Sequence, residues 1–414
     1  MKLFINKIGS VGGTVNISGA KNSAVAIIPA ATLTNKKVTL TNIPNIQDVD
    51  FLIKTLNHQG FKTIFNNNTL IIKRKLFIKK TFKKHINKLR GSYYFIGAFL
   101  ARFKKIKFGN YGGCNLGERP INYHNDAFKK MNTKIKNKKK YTLYKTKKLQ
   151  GADITLPFPS VGATINILIA STLSKGITTI TNASFEPEVI DVGNFLKKMG
   201  ANIIGLGTQR ISIIGVKKLH GCTHKIISDR IEAATYLAIG ATTSTRGVTV
   251  KNVNINHLKN ILFYFEEMGC KLNINTDSIT IFKPLKYNDI NIKTGPYPFF
   301  PTDLNPIFCS CLLKTNNEST ITETIYENRI SHINELKKMG ANIIQKENIT
   351  YIYNSNLKPA SLTAHDLRCA ASLLIAGLQI KCPFEINNIE YLLRGYEEPV
   401  NKLKQINIHT ELIS

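Results

Sequence analysis

The sequence predicts an α/β fold of two similar lobes, each made of three βαβαββ units about 70 residues long. Three observations carry this reading. The phrase Lys-Lys-Met-Gly-Ala-Asn-Ile-Ile occurs at 197–204 and again at 337–344. Looser copies of the same plan pivot on Gly60, Asn132, Gly200, Gly269, Gly340 and Asn407, at intervals of 72, 68, 69, 71 and 67 residues. At 414 residues and 43% hydrophobic, the chain exceeds one ordinary core and can fill two of about 200 residues each.

Each unit opens with a short extended run, a polar loop and an Ala/Ile/Leu-rich helix, as in Gly13 to Asn22 before Ala24-Val25-Ala26-Ile27-Ile28. The matching front loops are Leu89 to Ser92, Leu156 to Ser160, Ser228 to Glu232, Phe300 to Asp303 and Ala364 to Arg368. A second β-rich run follows each helix: 37–41, 106–108, 176–180, 247–250, 319–322 and 384–386. A second helix then ends at the pivot, and two strands close the unit. Such a unit cannot bury both faces alone, so three pack together around shared helices. Six divide into three and three: residues 21–228 as the N-terminal lobe, and 1–20 with 229–414 as the C-terminal lobe, with a cleft between them.

Charge and cysteine content exclude several classes. The net charge of +31 invites a nucleic-acid reading, above all at Lys129 to Lys148, where lysines crowd Tyr141 and Tyr144. Lysine, asparagine and isoleucine are abundant throughout, which fits AT-rich coding and a solvated surface better than a dedicated basic face. The excess charge also favours capture of anionic substrates. Seven cysteines, an odd number without zinc spacing, read as reduced thiols and mostly core filler, with no metal site. No stretch reads as a signal peptide or a membrane span, so a soluble cytoplasmic protein is expected, with no nucleic-acid or membrane partner.

The polar residues of the front loops share one address. Lys21, Arg90, Ser160, Arg230, Asp303 and Arg368 are spaced by 69, 70, 70, 73 and 65 residues and fall at strand-to-helix junctions, where free N–H groups and the helix dipole attract anions. An Arg or Asp there can also be a simple cap. The second loops carry Cys114, Arg119, Glu186, Glu188, Arg329 and Arg394. Inert cysteines sit in apolar strands or helices, whereas Cys114 sits in the glycine-rich, charged stretch Gly112 to Pro120, read as a catalytic lid.

These residues resemble the enolpyruvyl transferase family from Ile17 to Tyr396. The likeness rests on Gly112-Gly113-Cys114 with Arg119-Pro120, Pro159 to Thr164, Glu186-Pro187-Glu188, Asp229 to Glu232, Phe300 to Asp303, Glu327-Asn328-Arg329 and Asp366-Leu367-Arg368. The resemblance implies two inside-out α/β barrels of three repeats each. It also implies transfer of the enolpyruvyl group of phosphoenolpyruvate to the 3′-hydroxyl of UDP-N-acetylglucosamine, releasing phosphate by addition and elimination, in the first committed step of peptidoglycan synthesis.

By the same resemblance Cys114 is the proton donor and Asp303 the base. Lys21, Asn22, Arg119, Arg329, Arg368 and Arg394 hold phosphoenolpyruvate, the arginines through their planar forks. The sugar nucleotide falls to Arg90, the run Arg119, Pro120, Ile121, Asn122 and Tyr123, then Ser160, Val161, Gly162, Asp303 and Ile325. Asp366, Arg230, Glu186 and Glu188 support the site. No cofactor is implied, and family members usually act as monomers.

Departures from the family pattern are Glu118 beside Arg119, Asn122 where Asp is common, and Phe158 where some members carry a lysine. Two alternatives stand beside the main reading. One is the sister transferase acting on shikimate 3-phosphate, which has no such cysteine loop; the other is a decayed, non-catalytic basic binding protein.

Overall fold

Alternating apolar residues and turn-forming pivots build the same layered unit six times over in the computed structural model, which describes residues 1–75, 77–82, 86, 89–109, 121–326, 329–380 and 382–413. The third repeat shows the plan. Strand Asp153–Thr155 leads into helix Val161–Ser171 and strand Ile177–Thr181; helix Pro187–Lys198 follows, then strands Asn202–Ile204 and Arg210–Ile214. Pro187 starts its helix where a missing N–H costs nothing, and Lys197 and Lys198 face the negative end of the dipole.

The sheet order is first strand, second, fourth, third. Ile154 pairs with Ile180 in parallel, Ile180 with Ile211 antiparallel, and Ile203 with Ile213 antiparallel. The fifth repeat repeats this order with Asn291–Lys293, Glu318–Thr322, Ile349–Tyr353 and Ile343–Lys346. In the second repeat, Lys105–Gly109, Tyr141–Lys145 and Lys134–Asn137 form the sheet, and Thr81 bridges to Lys107 in the first-strand place.

Three strands pair outside their own sequence repeat. Gly13–Asn16, which leads the first repeat, pairs in parallel with Val248–Lys251 of the fourth. Thr223–Lys225, which leads the fourth, pairs with Val38–Thr41 of the first. Lys2–Ile8 closes the sixth sheet between Phe384–Asn387 and Ile408–Ile413. A four-residue strand with one buried side chain, Val15, carries no information in its pattern about which edge it joins.

All six pivots adopt left-handed backbone conformations, with φ of 101° at Gly60, 65° at Asn132, 96° at Gly200 and Gly269, 87° at Gly340 and 64° at Asn407. Only Gly, and Asn at modest cost, enters this region routinely, which explains those two residue types at the helix-to-strand turn.

The first helix of each repeat is apolar on every side and is therefore buried. Ile231 through Thr242 are all buried in Arg230–Thr243, as are Ala163 through Ser171 in Val161–Ser171. The sheets lie outside these helices, and among the described residues they are six separate sheets, none closed into a barrel. The inside-out arrangement is present as packed layers.

The chain divides into two compact units, one from Met1–Ser18 with the residues from Ser228 onward, the other running from Gly19 to Ile227. Each has its own core. Phe308 packs against Phe265 and Phe300 in the first, with ring centroids 4.7 and 4.9 Å apart; Phe82 packs against Phe95 and Phe99 in the second, at 5.1 and 5.0 Å. Cys270, Cys309, Cys311 and Cys369 are buried core filler, Cys222 is half-buried and Cys382 is exposed. Among the described residues no helix is long and apolar enough to cross a membrane.

Candidate functional site

Helix starts expose N–H groups, so a residue placed there can cap the helix or face a ligand. Lys21 and Arg230 are the first residues of their helices, Arg368 the second, and Ser160 an N-cap. Arg90 opens the tight turn Arg90–Tyr93, and Asp303 lies in the turn Thr302–Leu304, each leading straight into a buried helix.

In the unit that contains residues 228 onward, Asp303 is the centre of charge. Its Oδ1 accepts from Arg329 Nη1 at 2.8 Å and its Oδ2 from Arg368 Nη2 at 2.7 Å. Arg329 Nη1 also donates to the Thr302 carbonyl at 2.8 Å, which clips the turn to the same guanidinium. Burial alone would raise Asp303, but the charges and hydrogen bonds of Arg368 and Arg329 outweigh it and hold the carboxyl well below the usual carboxylate range. Its side chain remains 26% exposed, so Asp303 is reachable while Arg329 is buried.

Asp366 organises the neighbouring helix start. Its Oδ1 accepts from the backbone N–H of Arg368 at 2.8 Å and Cys369 at 3.0 Å, and its Oδ2 from Ser331 Oγ at 2.7 Å. Burial opposes ionisation there, and these donors overcome it, so Asp366 too is held low. Tyr396, which the sequence reading did not single out, bonds Thr235 at 2.7 Å and approaches Arg368 Nη1 at 3.5 Å. Arg230 lies over the Tyr297 ring at 5.9 Å, and Arg394 caps the short helix Glu390–Leu393. Ile325 donates its N–H to Glu323 Oε1 at 2.9 Å.

In the other unit, Lys21 pairs with Asp48 at 2.7 Å; Asn22 beside it is exposed. Asp48 was not foreseen, and an acidic residue opening helix Gln47–Gln59 is weak as a signal because carboxylates favour helix starts anyway. Arg90 stacks over Tyr93 at 5.5 Å. Ser160 Oγ caps its helix by accepting from Ala163 N at 3.3 Å, and Val161 and Gly162 form the first turn. Ile121, Asn122 and Tyr123 open helix Asn122–Lys130.

A Cβ on Gly162 would lie 3.3 Å from His124 Nε2, so the glycine lets this helix start approach the imidazole. His124 pairs through Nδ1 with Asn166 at 3.1 Å, and Asn166 in turn binds the N–H of Gly97 and the carbonyl of Tyr93. Burial, with Arg90 nearby, pushes His124 down to about 3, so it is neutral at physiological pH. Glu186 stands at the N-cap position of helix Pro187–Lys198 with no side-chain capping bond, and accepts from the Ser184 hydroxyl; Glu188 stands in the first turn, buried. Cys114, Arg119 and Pro120 lie outside the described residues, as does Glu118.

Chemically, the first set is a carboxylate bracketed by two guanidinium groups, and those guanidinium groups can exchange the carboxylate for the oxygens of an anionic ligand. The second set offers a lysine and exposed helix starts. Among the described residues no group of three or more His, Cys, Asp or Glu side chains is placed to hold a metal.

The model of the family described as EPSP synthase (3-phosphoshikimate 1-carboxyvinyltransferase) matches residues 5–403. The chain is 43% identical over its full length to the UDP-N-acetylglucosamine 1-carboxyvinyltransferase 2 of Streptococcus pyogenes, covering 99% of that protein. It is 40% identical to the like-named protein of Lactococcus lactis, again over its full length and 99% of the relative, and 41% identical to that of Listeria innocua, over 98% of this chain and 96% of the relative. Among solved structures, the enolpyruvyl transferase NikO from Streptomyces tendae superposes with a TM-score of 0.91 at 20% identity, covering 99% of this chain and 98% of that one. An EPSP synthase from Acinetobacter baumannii superposes at 0.76 and 18% identity, with both chains covered completely. At these identities the two structures speak for the fold.

Proposed function

The chain belongs to the EPSP synthase (3-phosphoshikimate 1-carboxyvinyltransferase) family, and we propose that within it this member transfers the enolpyruvyl group of phosphoenolpyruvate to the 3′-hydroxyl of UDP-N-acetylglucosamine, releasing phosphate. The observation that carries the choice of substrate is the end-to-end likeness, at 40–43% identity, to proteins that bear this activity as their name. The reaction serves peptidoglycan synthesis and hence cell shape and division, in the cytoplasm, by a monomer whose two units act as lobes.

In the proposed chemistry the 3′-hydroxyl oxygen attacks C2 of phosphoenolpyruvate. Asp303 accepts the hydroxyl proton while Cys114 protonates C3, which gives a tetrahedral phospho-ketal. Loss of a C3 proton and departure of phosphate then restore the double bond. Lys21, Asn22, Arg119, Arg329, Arg368 and Arg394 hold the phosphate and carboxylate of phosphoenolpyruvate. Arg90, Arg119 to Tyr123, Ser160 to Gly162, Asp303 and Ile325 hold the sugar nucleotide, and Asp366, Arg230, Glu186 and Glu188 brace the loops.

The pair of arginines at Asp303 supports its assignment as the base. An anion that takes up Arg368 and Arg329 withdraws the charges that keep Asp303 acidic, so binding phosphoenolpyruvate strengthens the base as the substrate arrives. The assay is phosphate release from the purified chain given both substrates. Turnover with UDP-N-acetylglucosamine and none with shikimate 3-phosphate is expected; the reverse preference assigns the sister activity, and no release from a folded protein removes the enzymatic reading.

A further inference from the structure

Glu323 is buried, with 6% of its surface exposed, and its carboxylate accepts five hydrogen bonds from neutral donors. Oε1 receives the Thr294 hydroxyl at 2.9 Å and the backbone N–H groups of Ile325 and Tyr326 at 2.9 and 3.1 Å. Oε2 receives the Thr302 hydroxyl at 2.9 Å and Asn305 Nδ2 at 2.8 Å. Two carboxylate oxygens offer about four lone-pair directions, so this acceptor is saturated.

Donors fall on both sides of Asp303, and two more closely precede Arg329. Thr302 and Asn305 flank Asp303, while Ile325 and Tyr326 stand four and three residues before Arg329. The backbone of Glu323 is fixed as well, its N–H donating to the Asn348 carbonyl at 2.8 Å at the end of the strand Glu318–Thr322. One anionic side chain thus joins the base's turn, the loop before its arginine and the rigid sheet.

We infer that Glu323 is a positioning residue for carboxyvinyl transfer: it sets where the Asp303 carboxylate stands relative to Arg329 and to the incoming hydroxyl. This rests on the reading of Asp303 as the base. A cap needs one or two N–H donors, whereas Glu323 spends two of its five bonds on the catalytic turn. A shift of about 1 Å in a reacting group costs on the order of 100-fold in rate, so the link bears on turnover more than on folding.

The test uses three variants of the full chain: Glu323→Gln, Thr302→Val and Thr302→Ser. Glu323→Gln turns an amide NH2 toward one set of donors; Thr302→Val keeps shape and loses a donor; Thr302→Ser keeps the hydroxyl. Glu323→Gln is expected to lower kcat on the order of 100-fold and Thr302→Val about 10-fold, each a larger loss than the accompanying loss of UDP-N-acetylglucosamine affinity, and Thr302→Ser to hold kcat near that of the unmodified chain. A crystal structure of Glu323→Gln should show Asp303 displaced from Arg329 beyond hydrogen-bonding distance. An unmoved Asp303, or a kcat that falls equally in both Thr302 variants, overturns the inference. If the unmodified chain releases no phosphate, the transfer reading fails instead, and the Glu323→Gln structure alone decides whether Glu323 places Asp303.

Discussion

The carboxylate of Asp303 and the guanidinium of Arg368, 65 residues apart in the chain, meet at 2.7 Å, and Arg329 completes the bracket from the other oxygen. Two arginines held this way need the carboxylate as much as it needs them, since a guanidinium left facing a neutral group in a buried site is costly.

Asp303→Asn should therefore cost about 2–3 kcal/mol of unfolding free energy, less than a fully buried pair costs to break because the side chain keeps a quarter of its surface. Since the folded carboxyl is depressed below the unfolded value of about 3.9, its contribution is fully present above that pH and is lost as pH falls through the folded value. Denaturant unfolding of both chains should give a difference that is flat from about pH 5 to 8 and shrinks below about pH 4. A gap that grows on acidification would contradict the ion-pair account.

Lys21 and Asp48, at 2.7 Å with both side chains mostly buried, separate a structural from a ligand-binding role. Lys21→Ala removes the ammonium from Asp48 and should cost about 2 kcal/mol. The double variant Lys21→Ala/Asp48→Asn should regain most of that stability in urea unfolding while phosphate release stays low. Recovery of activity along with stability would mean that Lys21 serves the fold alone.

The thiols should sort by burial. Burial pushes Cys270, Cys309 and Cys369 up to about 12 and Cys311 upward as well, so at pH 8 roughly one in ten thousand of the first three is thiolate. Among the described cysteines, iodoacetamide followed by mass spectrometry should find Cys382 modified first and these four untouched until denaturant is added. As the proposed proton donor, Cys114 should be alkylated by the epoxide fosfomycin, and faster with UDP-N-acetylglucosamine present; labelling spread evenly over the cysteines would remove the special role of that thiol.

Local chemistry made the repeat legible in the chain. The pivots are visible because a left-handed turn accepts little besides Gly and Asn, and all six fall on those residues. The buried helices are visible because a segment apolar on every side has nowhere else to go. The front-loop residues are visible because a repeat places equivalent positions at equivalent element ends, as Lys21, Ser160, Arg230 and Arg368 illustrate.

Pairing across long sequence distances was not written in any local pattern. Gly13–Asn16 and Thr223–Lys225 exchange sheets, and Lys2–Ile8 completes the last one, because short strands with similar alternation fit any open edge and the packed helices choose among them. The same holds at the site. The sequence by itself determined that Asp303, Arg329 and Arg368 sit in loops of neighbouring repeats; only the tertiary structure decided that the two guanidiniums close on one carboxylate and that Glu323 holds its turn in place, since hydrogen bonds are set by distance in space and leave no period in the chain.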